Sequence, residues 1–186
     1  VLSVSGGAPL TVGDSVAYVS TIAWPDADHV LYSSPPGLMR VSGTGGAAEQ
    51  WTRPDTAAGE AHHVNPASVP GGRGTIFTTF PALLTQLTDA RIAWVGPSGG
   101  KHRVLMPGLA AQFAPPAHLL VTRVDGTIVA VPFDADAGRL TGPPVPIVSG
   151  LNVGTFSIVG YSSVAPAGIV KGVAATFASA ALHPCG

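Results

Sequence analysis

Ile92-Ala93-Trp94-Val95-Gly96-Pro97-Ser98-Gly99-Gly100, running on to Val104-Leu105, reads as an apolar strand, a glycine turn and the start of a returning strand. Short apolar runs punctuated by Gly and Pro are the signal of a β-hairpin. The phrase recurs. It stands at Val4-Ser5-Gly6-Gly7-Ala8-Pro9-Leu10, and again at Leu38-Met39-Arg40-Val41 with Ser42-Gly43-Thr44-Gly45-Gly46 and Trp51-Thr52. A further copy is Ile128-Val129-Ala130-Val131, with a turn through Asp134 to Gly138 and then Leu140-Thr141. The last turn glycines, Gly7, Gly46, Gly100 and Gly138, are 39, 54 and 38 residues apart. Propeller blades repeat at about 40–50 residues, and the longer middle step leaves room for an insertion over residues 80–89.

Between the copies lies a second recurrent element. Ile22-Ala23-Trp24-Pro25-Asp26 precedes Val30-Leu31-Tyr32; Val69-Pro70-Gly71-Gly72-Arg73 precedes Thr75-Ile76-Phe77-Thr78; Phe113-Ala114-Pro115-Pro116 precedes His118-Leu119-Leu120-Val121-Thr122. Asp125-Gly126 then turns that last strand into residues 127–131, another hairpin. Each unit thus supplies about four short strands, the content of one blade. The expected fold class is all-β: a partial β-propeller of about four four-stranded blades over residues 1–160, a fragment of a larger propeller. Residues 161–186 are expected as a divergent Ala-rich tail. A β-sandwich has similar strands and turns, so periodicity by itself leaves both architectures open.

Composition points the same way. Charged residues are 10% of the chain, against roughly 25% in a typical soluble domain. The 24 Gly and 18 Pro oppose long helices, while 46% hydrophobic residues suffice for a packed core. A net charge of −1 without a basic cluster argues against nucleic-acid binding. The single Cys185 has no partner for an internal disulfide. Residues 165–182 are the one apolar stretch of membrane-spanning length, but Pro166 and Lys171 oppose a span there. The chain starts at Val1 inside an apolar segment, without an initiator Met or signal peptide, which is the ground for expecting a fragment.

Gly37-Leu38-Met39-Arg40-Val41-Ser42-Gly43-Thr44-Gly45-Gly46, continuing to Trp51-Thr52, resembles the repeat of TolB-like, WD-repeat-like bacterial propellers. Asp125-Gly126-Thr127-Ile128-Val129-Ala130-Val131-Pro132-Phe133-Asp134, with Leu140-Thr141-Gly142-Pro143-Pro144-Val145-Pro146, resembles the propellers fused behind bacterial serine/threonine protein kinases. Gly59-Glu60-Ala61-His62, Pro70-Gly71-Gly72-Arg73 and Ile76-Phe77-Thr78 fit the same family. The resemblance covers roughly residues 1–160. It implies an extracytoplasmic or periplasmic location, since in that family the propeller follows a kinase domain and usually a membrane span. After Phe156-Ser157-Ile158 the sequence departs from the family and runs into the Ala-rich tail.

Motifs for chemistry are few. The sequence has no Val-Ala-Ile-Lys strand, His-Arg-Asp loop or Asp-Phe-Gly of a kinase. Gly43-Thr44-Gly45-Gly46-Ala47-Ala48 imitates a dinucleotide loop, but Pro54 follows too closely for the required helix. Residues 96–101 imitate a phosphate loop, with Val95 where the first Gly belongs and His102 in place of the Ser/Thr. His62-His63 is the most tempting metal pair, yet adjacent strand residues point to opposite faces. Asp134 and Asp136, in a turn beside Gly138, could offer oxygens to a cation but read better as turn residues. Gly160-Tyr161-Ser162-Ser163-Val164 lacks the last Gly of a nucleophile elbow. Trp24, Trp51 and Trp94 fall near strand ends and read as inter-blade packing.

On this reading no catalytic, cofactor-binding or metal residue is assigned, and no cofactor is expected. The expected role is a non-catalytic propeller for protein or small-ligand recognition or sensing, without nucleic acid and without a membrane span of its own. The alternatives are a propeller accessory to a prolyl-oligopeptidase-like hydrolase and a TolB-like periplasmic scaffold.

Overall fold

The computed structural model describes residues 22–81, 87–151, 153, 160–164 and 170–175. The copy of the repeat at residues 4–10 lies outside the described residues. Three antiparallel sheets follow one another along the chain. The first comprises β1 (His29–Ser34), β2 (Gly37–Ser42) and β3 (Glu49–Gln50), and Ala23 adds a bridge to Leu31 beside β1. The second is a four-stranded meander of β4 (His62–Ser68), β5 (Thr75–Phe80), β6 (Arg91–Val95) and β7 (His102–Pro107).

The third sheet contains β8 (Ala110–Ala114), β9 (His118–Thr122) and β10 (Ile128–Asp134). Its outer edge is shared by β11 (Arg139–Leu140), opposite Phe133 and Asp134, and β12 (Val145–Val148), opposite Ile128 to Ala130. Within the stretch expected as a tail, β13 (Gly160–Val164) and β14 (Val170–Ala175) pair antiparallel. Among the described residues no helix is long and apolar enough to cross a membrane.

The turns form where their residues require them. Asp125 Oδ1 accepts from Thr127 N at 3.0 Å, and Gly126 supplies φ +76° to close the β9–β10 hairpin. The β5–β6 connection is the longest within the second sheet and carries a 3-10 turn, Leu87–Asp89, so the wide middle step of the repeat falls there.

The middle sheet distinguishes a propeller from a sandwich. Successive strand residues face opposite sides, and on β5 and β6 both sides are buried. Phe77, Ala93 and Val95 pack with Leu31, Leu38 and Trp51 of the first sheet region. Ile76 and Ile92 pack with Ala111, Phe113, Leu119, Val121, Val129, Val131 and Phe133 of the third. A two-sheet sandwich leaves one face of each sheet wet; here one sheet is enclosed between two others, as a blade is. All six residues of β5 are buried, including Thr75, Thr78 and Thr79. Thr78 Oγ1 donates to the Leu109 carbonyl at 2.9 Å, tying this strand to the start of the third sheet.

Candidate functional site

The chain leaves β3 through Trp51 and Thr52 and crosses to the second sheet over residues 53–61. Backbone bonds hold the departure: Trp51 N donates to the Leu38 carbonyl at 2.8 Å. Asp55 then caps a 3-10 turn, Thr56–Ala58, its Oδ1 accepting from Ala57 N and Ala58 N. Gly59 ends the turn with φ +82°, and Glu60 N donates to the Asp55 carbonyl at 3.0 Å. This doubling back aims the Glu60 carboxylate inward, where Asp55 N donates to its Oε2 at 2.8 Å.

Two imidazoles meet that carboxylate. His63 Nε2 lies 3.2 Å from Glu60 Oε2, and His102 Nε2 lies 2.9 Å from Oε2 and 3.1 Å from Oε1. The side chain of His63 is fully enclosed, and those of Glu60 and His102 are nearly so. The rings pack on each other with centroids 4.8 Å apart, and Phe77 closes the inner side 4.6 Å from His63. His63 Nδ1 lies 2.7 Å from Thr52 Oγ1, which also accepts from Leu38 N at 3.1 Å.

These bonds assign the protons. Burial favours the neutral form of His63, and the Glu60 attraction does not offset it, so its pKa falls below the ordinary 6.5. A neutral ring accepts the Thr52 hydroxyl proton at Nδ1 and donates from Nε2 to Glu60. For Glu60, burial opposes ionisation but is outweighed by bonds from His102, His63 and Asp55 N. The carboxyl is therefore held well below the ordinary 4.5.

Beside this cluster is a cleft of about 420 Å³ between the β3–β4 crossing and the β6–β7 hairpin. Glu60 and His102 line it together with Gln50 and Trp51 and the exposed Arg53, Asp55 and Lys101. Trp51 Nε1 and Gln50 Nε2 are buried and have no hydrogen-bond acceptor. Both atoms are closed off from solvent, so the charged groups that reach the open cleft are Arg53 and Lys101, with Asp55 beside them.

Sequence reasoning met Glu60, His63 and His102 separately and did not join them. The adjacent pair His62-His63 is not what the fold brings together; His63 meets Glu60 from three residues before it and His102 from the next hairpin but one. The Glu60-x-x-His63 spacing was the available signal. Gly43 to Gly46 form a turn leading into β3, not a helix. Asp134 Oδ1 accepts from Asp136 N and Ala137 N, and Asp136 lies 4.0 Å from Arg73. Trp51 and Trp94 pack between sheets, whereas Trp24 is 43% exposed.

No family model matches the sequence, and no curated protein matches it. Among solved structures the chain is similar to regucalcin, described as a calcium-binding protein, from Agrobacterium tumefaciens. The TM-score is 0.51 and the identity 17%, over 67% of this chain and 43% of that one. The likeness thus spans less than half of that protein's length. It supports the β-propeller reading of the stacked sheets, and it does not reach the TolB-like or kinase-fused families. It also corrects the expectation that the chain is not an enzyme. That expectation rested on missing kinase and hydrolase motifs, and a single fold such as the β-propeller hosts many unrelated chemistries that those motifs do not survey. Their absence therefore does not exclude catalysis by this chain.

Proposed function

We propose that this chain is the ligand-recognising part of a β-propeller, and that it binds a small anionic ligand in the cleft between the β3–β4 crossing and the β6–β7 hairpin. The observation that carries this reading is the pair of exposed cations that line the cleft, Arg53 and Lys101. Asp55 and Glu60 line it too. Asp55 Oδ1, however, accepts from Ala57 N and Ala58 N, and Glu60 is bonded to Asp55 N, His63 and His102, which leaves the two cations to meet a ligand. A carboxylated or phosphorylated small molecule supplies acceptors to both cations. The test is a thermal-shift and NMR titration of the chain with a panel of such molecules. Binding is expected to raise the melting midpoint and to be lost in the Arg53→Ala, Lys101→Ala double variant. A panel without any hit, or a double variant that responds as the parent does, overturns the reading.

The setting we propose follows the sequence resemblance: a TolB-like propeller on the outer side of a bacterial membrane, carried by a serine/threonine protein kinase. Residues 125–146 support it. The flanking coding sequence tests it, since a kinase domain and membrane span upstream agree with this setting. An α/β-hydrolase downstream replaces it with the accessory-propeller alternative.

A further inference from the structure

We propose that Glu60, His63 and His102 form a binding site for a divalent transition-metal ion of the zinc class, with one coordination position open to the cleft. Two imidazole nitrogens and one carboxylate oxygen form a three-ligand set that zinc uses when its fourth position is left to water or substrate. The three donor atoms lie within 4.8 Å of one another. The carboxylate oxygen stands 3.2 Å from His63 Nε2 and 2.9 Å from His102 Nε2. Metal–ligand bonds of about 2.0–2.1 Å in a tetrahedron set ligand edges near 3.3 Å, so these two edges are almost in place. The remaining closure is between the two imidazoles.

The surroundings supply what a metal site needs beyond its ligands. Thr52 Oγ1, at 2.7 Å from His63 Nδ1, fixes that ring from behind, and Asp55 N at 2.8 Å fixes the Glu60 carboxylate. On loading, the His63 proton moves from Nε2 to Nδ1 and is donated to Thr52 Oγ1, whose hydroxyl turns away. Phe77 backs His63 on the dry side. Glu60 and His102 line the cleft, which places the open position there. Calcium and magnesium fit poorly, because they require oxygen shells and this cluster offers one carboxylate. The site shares the cleft of the proposed ligand but does not depend on it, and metal alone reads it out.

The experiment is a titration of the full chain with Zn²⁺ against a chromophoric chelator, and with Co²⁺ followed by its visible absorption. It is made in a Cys185→Ser background so that the thiol does not compete. One equivalent is expected to bind, with the intense visible bands of four-coordinate Co²⁺. His102→Ala and Glu60→Gln are each expected to weaken binding by at least about 100-fold, and Thr52→Val by about 10-fold. His62→Ala is expected to leave the affinity unchanged. Far-UV circular dichroism checks that each variant is folded. Absence of stoichiometric binding by the parent chain overturns the site. So does a folded His102→Ala variant that binds as tightly as the parent, or preference for Ca²⁺ over Zn²⁺.

Discussion

Thr52 shows how one hydroxyl joins two blades. Its Oγ1 accepts from Leu38 N in the first sheet region and meets His63 Nδ1 in the second. Thr52→Val keeps the shape and removes both bonds, leaving a buried N–H and ring nitrogen unpaired. A loss of about 1–3 kcal/mol in urea unfolding is expected, with Thr52→Ser close to the parent; an unaffected valine variant contradicts the assignment. The cluster also sets a pH dependence in the metal-free chain. Both pKa values are depressed on folding, His63 from 6.5 and Glu60 from 4.5. The unfolded chain therefore binds more protons just below each ordinary value, and stability rises with pH in those windows. Stability is expected to be full above about pH 7, to fall as the pH drops below about 6.5, and to fall further below about 4.5. Urea midpoints measured with a chelator present check this, and Glu60→Gln is expected to flatten the lower limb. A midpoint that rises on acidification sinks the account.

At the scale of elements, the turn glycines do more than reverse the chain. Gly138 has φ +58°, and a Cβ there would run into the Trp94 ring of the second sheet. Gly99 has φ +70°, and its Cβ would meet Trp51 at 2.9 Å. In both, the turn of one blade lies on the tryptophan of the blade before it. Arg103 reinforces the Gly138–Trp94 contact by donating to the Ala137 and Gly138 carbonyls. Gly138→Ala is expected to cost the left-handed conformation, about 1–2 kcal/mol, plus overpacking of about 1–3 kcal/mol. Gly100, at φ +84° with open space at its Cβ position, isolates the first effect. Equal losses for Gly138→Ala and Gly100→Ala, measured by chemical denaturation, refute the packing role. These glycines are also why so much of the fold was legible in the sequence. A turn that requires positive φ and close approach constrains residue type locally, so the repeat is visible residue by residue. The site was not, because His102 stands 42 residues from Glu60 and only the stacking of hairpins brings it near. Spacing rules reach Glu60-x-x-His63 and stop there. The contrast between propeller and sandwich was equally hidden, since it depends on what covers each face of β5.

Across the whole molecule, stability is organised as a stack in which each sheet leans on its neighbours. The alternation along β5 makes this testable, because adjacent residues serve different interfaces. Phe77, 1% exposed, faces the first sheet among Leu31, Leu38 and Trp51. Phe133, also 1% exposed, faces the second sheet from the third, with Ile76, Ile92 and Phe113. Truncation of either to alanine is expected to cost about 3–5 kcal/mol. In an array coupled through nearest neighbours, that loss is not shared evenly. Phe77→Ala releases the face on which β1 and β2 dock while leaving the Ile76 side in contact with the third sheet. Phe133→Ala does the reverse. Native-state hydrogen exchange should therefore show amides of β1 and β2 losing more protection in Phe77→Ala than those of β9 and β10, and the opposite order in Phe133→Ala. Uniform loss across all three sheets in both variants would instead describe one indivisible core, and would remove the blade-by-blade account of this fold.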